Sequence, residues 1–468
     1  MRIGLNKNIV VLFTCMIVLI ALNSCSTGKK KVTDERELIK VVIDGHEYID
    51  ISSFNIHENG EEDDALLIQK VLDKLENVYF SKGDYRVASD RSCPYRYSGI
   101  FVTEKSAVRR IVFEEGAQIV VPQSYTSLTK KSCVLHFHAE NGSFKELYIR
   151  GLKIIAEPRK DDKEISGLFV SETNGNLVES LILEDGYFEN LSYTSITTHA
   201  TDSKIFNTKT INSGFHGLAV INPYNPLIKH EVMVKDFTSI DDRRNSIDLS
   251  GFKSLERKSI ASSAILENIY SKGSGNGIKI ASNWNLEFSN SKILNSNANG
   301  FYVNYAHPGN TVDLKNIEIA DCKKIGLSLG HDVIFYGRDI EIKNCNAGAF
   351  LQKSKATIEN LTIIGNESSE FGLTMYDNGD VNKLRVSGIR AEYPIKIVGE
   401  GNTLSDVTVF ENIDSHSIFV GRDAQNTKIF DANTDKDIRV LQKNGTIEIC
   451  NYSGKLEKSS RLRVDCNQ

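Results

Sequence analysis

The sequence Gly277-Ile278-Lys279-Ile280, repeated one turn later as Gly300-Phe301-Tyr302-Val303, decides the fold of this chain. Each is a small residue followed by an apolar, a variable and a second apolar residue. The phrase returns at Gly167, Ser195, Gly217, Ser246, Gly326, Gly348, Gly372, Pro394 and Ser417, in steps of 22 to 31 residues, with wider-spaced forms starting at Gly99 and Val134. A fixed period of this length, with one short strand per repeat, marks a solenoid. Apolar residues two apart give the alternation of a strand, one side to a core and the other outward. A second alternating stretch precedes many phrases, as in Asn316-Ile317-Glu318-Ile319 and Asp339-Ile340-Glu341-Ile342. No ten-residue amphipathic pattern lies between them, which excludes leucine-rich, ankyrin and other helix-containing repeats.

The pattern predicts an all-β, right-handed parallel β-helix with three short strands per coil and roughly thirteen coils. The small residue of each phrase suits a turn with an unusual backbone angle. Asn245, Asn276 and Asn299, each one place before it, stack in consecutive coils and pair their amides along the axis. Open ends of such a stack need covers. A helical pattern from Asp63 to Leu72, acidic at its start, predicts an N-terminal capping helix. The expected organisation is a signal segment at 1–24, a tether at 25–40, an N-terminal cap and first coil at 41–95, the β-helix at 96–430 and a C-terminal cap at 431–468, turned at Lys443-Asn444-Gly445.

Arg2 and Lys7 precede an apolar run from Ile9 to Leu22, too short for a membrane span and laid out as a secretory signal. Leu22-Asn23-Ser24-Cys25 resembles a bacterial lipobox, which implies lipidation at Cys25 and a mature chain held to a membrane by acyl chains. The expected location is the bacterial cell envelope, with Lys29-Lys30-Lys31 favouring the periplasmic face. Beyond Cys15 and Cys25, Cys322 and Cys345 fall one coil apart and predict stacked thiols, while Cys450 and Cys466 are a candidate bridge in an oxidising compartment. A net charge of −5 over 468 residues argues against nucleic acid as a partner and leaves any polyanion site to a local basic patch. The solenoid is expected to act as a monomer.

The stretch from Asn59 to Val87 resembles the N-terminal signature of the pectin lyase-like superfamily: Gly60, Asp63, Asp64, Ile68, Gln69, Tyr79, Phe80, Gly83 and Tyr85 match, with Ser81 where that family usually has proline. The resemblance implies the β-helix fold and action on carbohydrate, without choosing among hydrolases, lyases, epimerases and tailspikes. The hydrolase pattern of the polygalacturonases is not carried over. Asn276 stands where their His would be, and Arg244 and Asn245 where their acidic pair belongs.

Two outward columns gather the chemistry. The position two after each small residue reads Thr197, Ala219, Asp248, Lys279, Tyr302 and Ser328, and the next outward position includes His199, Ser250 and Asn304. With His216, Arg243, Arg244, Asn245 and Asn276, this makes a basic, amide-rich face with one strand-borne carboxylate. Glycoside hydrolysis needs two carboxyl groups, so a hydrolase reading joins Asp248 with Asp241 or Asp242 from the turn. β-Elimination from a uronic-acid polymer needs groups to neutralise the carboxylate, a base and an acid. The favoured reading is therefore a polysaccharide lyase on an acidic, glycosaminoglycan- or pectin-type substrate. Lys279 is its base, Tyr302 or His216 its acid, and Arg244, Asn245 and Asn276 hold the carboxylate. Arg243, Asp248, Asn304, His199 and Trp284 are assigned to substrate binding. Each has a plain alternative: Asp248 with Lys279 as a cross-strand ion pair, the asparagines as a structural ladder, Trp284 as a plug in a loop. A non-catalytic carbohydrate-binding solenoid is the third reading. No cofactor is firmly expected; Asp241-Asp242 is a candidate for Ca²⁺ with too few oxygen ligands in register. His136 and His138, two apart on one strand face, read as surface histidines sooner than as metal ligands.

Overall fold

The computed structural model describes residues 38–91, 97–159, 161–173, 176–221, 228–251, 260–281, 283–304, 309–411, 416–441 and 446–458. The signal segment, Cys25, Cys466 and the Lys443-Asn444-Gly445 turn lie outside them.

Every recurrence of the phrase is a strand, and all of them join one parallel sheet of 15 strands in sequence order, from Tyr97–Thr103 to Leu456–Lys458. The rest of each coil lies in a 21-stranded sheet, as two short strands in the N-terminal coils, such as Ser180–Glu184 and Tyr187–Glu189, and as one long strand from Asp202–Ile211 onward. That long strand is two segments joined at a single left-handed residue. Asn207, Asp236, Asn268, Asn290, Asn316, Asp339, Asn360 and Asp406 all have φ between 45 and 63° at this bend. Asn and Asp tolerate the left-handed region better than other side chains with a Cβ. Neighbouring bends also bond to each other, Asn316 to Asn290 at 3.0 Å and Asn360 to Asp339 at 2.6 Å. The three expected strands per coil are separate in the N-terminal coils, as in Lys131–Ala139, Leu147–Arg150 and Lys153–Ala156, and merge into one straight strand and one bent one from Asp202–Ile211 onward.

The small residue of the phrase has a different cause from the one expected. Gly277 does not adopt a positive φ; a Cβ there would lie 2.3 Å from Ile293 Cγ2 and 2.6 Å from the Gly300 carbonyl oxygen. The coil interior is too narrow at this position for a larger side chain. Inside, the alternate residues of each strand stack into one continuous apolar core, with Ile247, Ile278, Phe301 and Leu327 aligned across four coils and buried. The expected buried thiols are there: Cys322 and Cys345 are free, buried and adjacent, the Cys345 sulfur accepting the Cys322 amide.

The helix Ala65–Leu72 lies at the N-terminal end with Ala65, Ile68, Val71 and Leu72 buried, and Gln69 Oε1 accepts the Phe101 amide of the first phrase strand. An antiparallel hairpin, Lys40–Ile43 with His46–Asp50, precedes it. At the other end the ladder does not stop at 430. Strands Asp437–Val440 and Leu456–Lys458 continue the phrase sheet through the segment expected to be a cap. Cys450, on the strand Ile447–Tyr452, is disulfide-bonded.

One reading on the N-terminal coils changes. His136 and His138 are buried, not on the surface, and both ring systems meet the Ser171 hydroxyl at 2.7 Å. Glu172, at the end of the same strand as Ser171, is 4% exposed, and its Oε2 has no hydrogen-bond partner among the described residues. Burial pushes its carboxyl up to about 7.

Candidate functional site

The strand register sets Asp248 beside Lys279 and Lys279 beside Tyr302, so the outward column read from the phrase spacing is a physical column. Below Asp248 it continues through Ala219 and Thr197, and above Tyr302 through Ser328. At its centre the surface opens into a pocket of about 530 Å³, lined by His216, Arg244, Asp248, Asn276, Lys279, Tyr302 and Asn304 with Ser250 and Gly251.

Asp248 is its floor and its only carboxylate among the described residues. It is 5% exposed and surrounded by donors. Ser250 Oγ donates to Oδ1 at 2.6 Å, Asn245 Nδ2 donates to Oδ2 at 2.9 Å, and Lys279 Nζ lies 3.4 Å from Oδ2. His216 Nε2 is 3.3 Å from the same oxygen. A buried carboxylate with this many donors keeps its position.

His216 is almost enclosed. Burial lowers its basicity from 6.5 to about 4, Asp248 opposing that shift and Arg244 and Lys279 adding to it. The ring is therefore neutral at pH 7, with Nε2 turned to Asp248 and Nδ1 sealed without a hydrogen bond among the described residues. In this pose it positions Asp248 and has no proton to give a leaving group.

The asparagines stack in consecutive coils as expected, with side-chain amides pairing between Asn245 and Asn276 and Asn299 joining through its backbone N–H. Asn276 Nδ2 donates to Asn245 Oδ1 at 2.8 Å, Asn276 Oδ1 accepts the Asn299 amide at 3.1 Å, and Asn299 Oδ1 accepts the Ile325 amide. The chain of amides ends on Asp248 through Asn245. Asn245 is wholly buried behind that carboxylate and cannot touch a substrate. Asn276, half-buried, lines the pocket.

Lys279 and Tyr302 are also half-buried, and the Tyr302 hydroxyl donates to Asn304 Oδ1 at 2.6 Å. Arg244 is exposed on the rim, its guanidinium 4.6 Å over the Phe215 ring. Phe215 stacks on Tyr193 at 4.7 Å, and Lys131 lies 5.4 Å over Tyr193. These residues and Arg243 line an adjoining hollow of about 550 Å³ that shares Arg244 with the first. Tyr193 and Phe215, two places before their phrases' small residues as Arg244 is, were not picked out from the sequence. The signal was that shared offset.

Three assigned residues are elsewhere. Trp284 is 1% exposed and begins a strand of the other sheet, where it fills the core. Its apolar bulk outweighed its position after the phrase. His199 is buried edge-on to Phe169, two strands below Asp248. Arg243 faces the adjoining hollow and not the pocket.

The hydrolase pair is lost as well. Asp241 has φ 57° and occupies the same turn position as Asn212, Gly273 and Asn295, each of which is left-handed. Asp242 is buried, and its carboxylate accepts the Ser213 amide and the Thr210 and Ser239 hydroxyls. Burial raises its carboxyl while those bonds pull it down. Its equivalents in other coils are the buried Ser213, Ser274, Ser296 and Cys322. Neither aspartate reaches the pocket, and the pair does not form the Ca²⁺ candidate.

Residues 258–405 match the family model for the right handed beta helix region. No curated protein sequence matches the chain significantly. Among solved structures, the A-module of mannuronan C-5 epimerase AlgE6 from Azotobacter vinelandii is 11% identical, covering 87% of this chain and 99% of its own, with a TM-score of 0.38. The tailspike of phage phiAB6, solved with oligosaccharides of the Acinetobacter baumannii surface polysaccharide, is 14% identical over 74% of this chain and 48% of its own, TM-score 0.32. The Streptococcus pneumoniae surface adhesin PfbA is 14% identical over 86% and 91%, TM-score 0.32. The family match and the coil ladder bear out the resemblance drawn from the sequence at the level of fold; activity rests on the site.

Proposed function

We propose that this chain is a lipid-anchored polysaccharide lyase that cleaves a uronic-acid-containing polysaccharide by β-elimination. The observation that carries the reading is one pocket combining two cations, two amides and a phenol around a single carboxylate that is already saturated with donors. Such a pocket suits an anionic substrate and, among the described residues, lacks the second carboxyl group that glycoside hydrolysis generally uses.

In the proposed reaction Arg244 and Asn276 hold the uronate carboxylate, which acidifies the hydrogen on the adjacent ring carbon. Lys279 is the base that takes that proton. The electron pair of the broken C–H bond becomes the ring double bond, the neighbouring C–O bond breaks, and Tyr302 gives its proton to the departing oxygen. Return of the proton from Lys279 to Tyr302 through solvent resets the site. Asp248 holds the Lys279 side chain in place, and Asn245, Ser250 and His216 hold Asp248. Cys25 carries the lipid anchor in this reading, placing the enzyme at the bacterial envelope.

The test is a screen of the mature chain against hyaluronan, chondroitin, heparin, alginate and polygalacturonate, following near-ultraviolet absorbance. An unsaturated product from at least one of them supports the proposal. Shortened chains without that absorbance support hydrolysis instead, and binding without any product supports a carbohydrate-binding solenoid.

A further inference from the structure

The outward column that holds Asp248, Lys279 and Tyr302 does not end at Ser328. It continues in register through Phe350, Thr374, Lys396, Phe419 and Arg439. Around Phe350 and Lys396 the same face opens into a second pocket, about 280 Å³, whose walls are Phe350, Phe371, Tyr376 and Tyr393. All four are half-buried, as is Phe419 beside them. Phe350 meets Tyr376 at 5.4 Å between ring centres, and Tyr393 meets Phe419 at 4.3 Å. A cluster of part-exposed aromatic rings on an otherwise polar face is characteristic of a binding surface.

The charges here differ from those of the first pocket. Glu370 and Glu392 line the rim with Lys396. Arg439 donates to the Tyr393 hydroxyl at 2.8 Å and lies 3.9 Å from Glu392 and 3.7 Å from Glu457. Glu457 also meets His416 at 3.0 Å. Carboxylates balance the cations, so a uronate gains nothing here and is repelled by Glu370 and Glu392. The apolar face of an uncharged sugar ring has what it needs: flat ring surfaces to stack on, with hydroxyl partners at the rim. At ~4.8 Å per strand, this pocket begins about 10 Å along the axis from Tyr302, within reach of the same polymer chain.

We infer that the aromatic pocket is a distal subsite for an uncharged sugar of the polysaccharide whose uronate occupies the first pocket, so that the substrate is a mixed polymer and not a homopolyuronate. This rests on the carbohydrate reading above, and its test separates the two. The full mature chain carrying Lys279→Ala, which leaves the gel polymer intact, is run in native gels containing hyaluronan or chondroitin, both alternating uronate and N-acetylhexosamine, or polygalacturonate, which is all uronate. The inference expects stronger retardation in a mixed-polymer gel than in polygalacturonate. Phe350→Ala and Tyr393→Ala each weaken that retardation several-fold, Tyr393→Phe keeps it, and thermal unfolding shows each variant folded. Equal retardation by polygalacturonate, retardation indifferent to Phe350 and Tyr393, or none in any gel overturns the subsite. Retardation through these rings by a protein that makes no unsaturated product overturns the lyase proposal and leaves the subsite standing.

Discussion

Lys279 Nζ lies 3.4 Å from Asp248 Oδ2 across two adjacent coils, although 31 residues separate them in the chain. The pairing follows from register alone: Asp248 and Lys279 are equivalent positions of consecutive phrases. Lys279→Ala is expected to lower turnover at least about a hundredfold, the contribution of a general base. Asp248 keeps its bonds to Ser250 and Asn245, so thermal unfolding should change little. Lys279→Arg restores the ion pair without the base and should remain inactive. Near-normal turnover in either variant removes Lys279 from the chemistry.

Asp241 and Asp242 separate the elimination account from hydrolysis. Asp241→Gly, at an exposed left-handed position, should leave both activity and stability close to wild type. Asp242→Ala strands the Ser213 amide and two hydroxyls in the core and should lower stability by about 3 kcal/mol, with the folded fraction still active. Chemical denaturation together with turnover per folded molecule checks both. A large loss of turnover in Asp241→Gly would restore the two-carboxylate mechanism.

The asparagine ladder should show a gradient. Asn245→Ala removes a buried amide that bonds both Asp248 and Asn276, and is expected to lower stability by about 2 kcal/mol and turnover with it. Asn299→Ala keeps the backbone bond to Asn276 and removes only the acceptor of the Ile325 amide, two coils away from Asp248, and should lower stability by only about 1 kcal/mol, sparing turnover. Equal effects on turnover would mean that the ladder does not act through Asp248.

Glu172 gives the fold a pH-dependent weakness. A carboxyl raised by burial to about 7 ionises in the unfolded chain first, so stability falls as pH climbs from 4.5 through 7. Glu172→Gln should therefore match wild type near pH 4 and exceed it at pH 8, by up to about 3 kcal/mol. Melting temperatures across that range decide it; a constant difference at all pH values would refute the titration.

The phrase made the coil ladder and the outward column legible, because strand alternation and a steady period leave little freedom in which residues stack. Asp248, Lys279 and Tyr302 could be aligned by counting from Ser246, Gly277 and Gly300. What the phrase did not reveal was depth. Asn245 and His216 sit one place before the small residue and turn behind Asp248, and His136, on an outward position, is buried beneath neighbouring side chains. The turns were harder still. Asp241-Asp242 looks acidic and available in the sequence, yet its place in the coil is set by a left-handed column and a buried serine column that only comparison across coils exposes. Trp284 misled through its neighbourhood: a short turn carries the chain from the phrase sheet into the other sheet before that residue.

The most direct measurement is the mass of the oligosaccharides released in heavy-oxygen water from whichever acidic polymer the enzyme shortens. β-Elimination breaks the chain without adding water, so the new ends should be unsaturated, lighter by one water than hydrolysis products, and free of solvent oxygen. Saturated products carrying one heavy oxygen per cut would contradict the account.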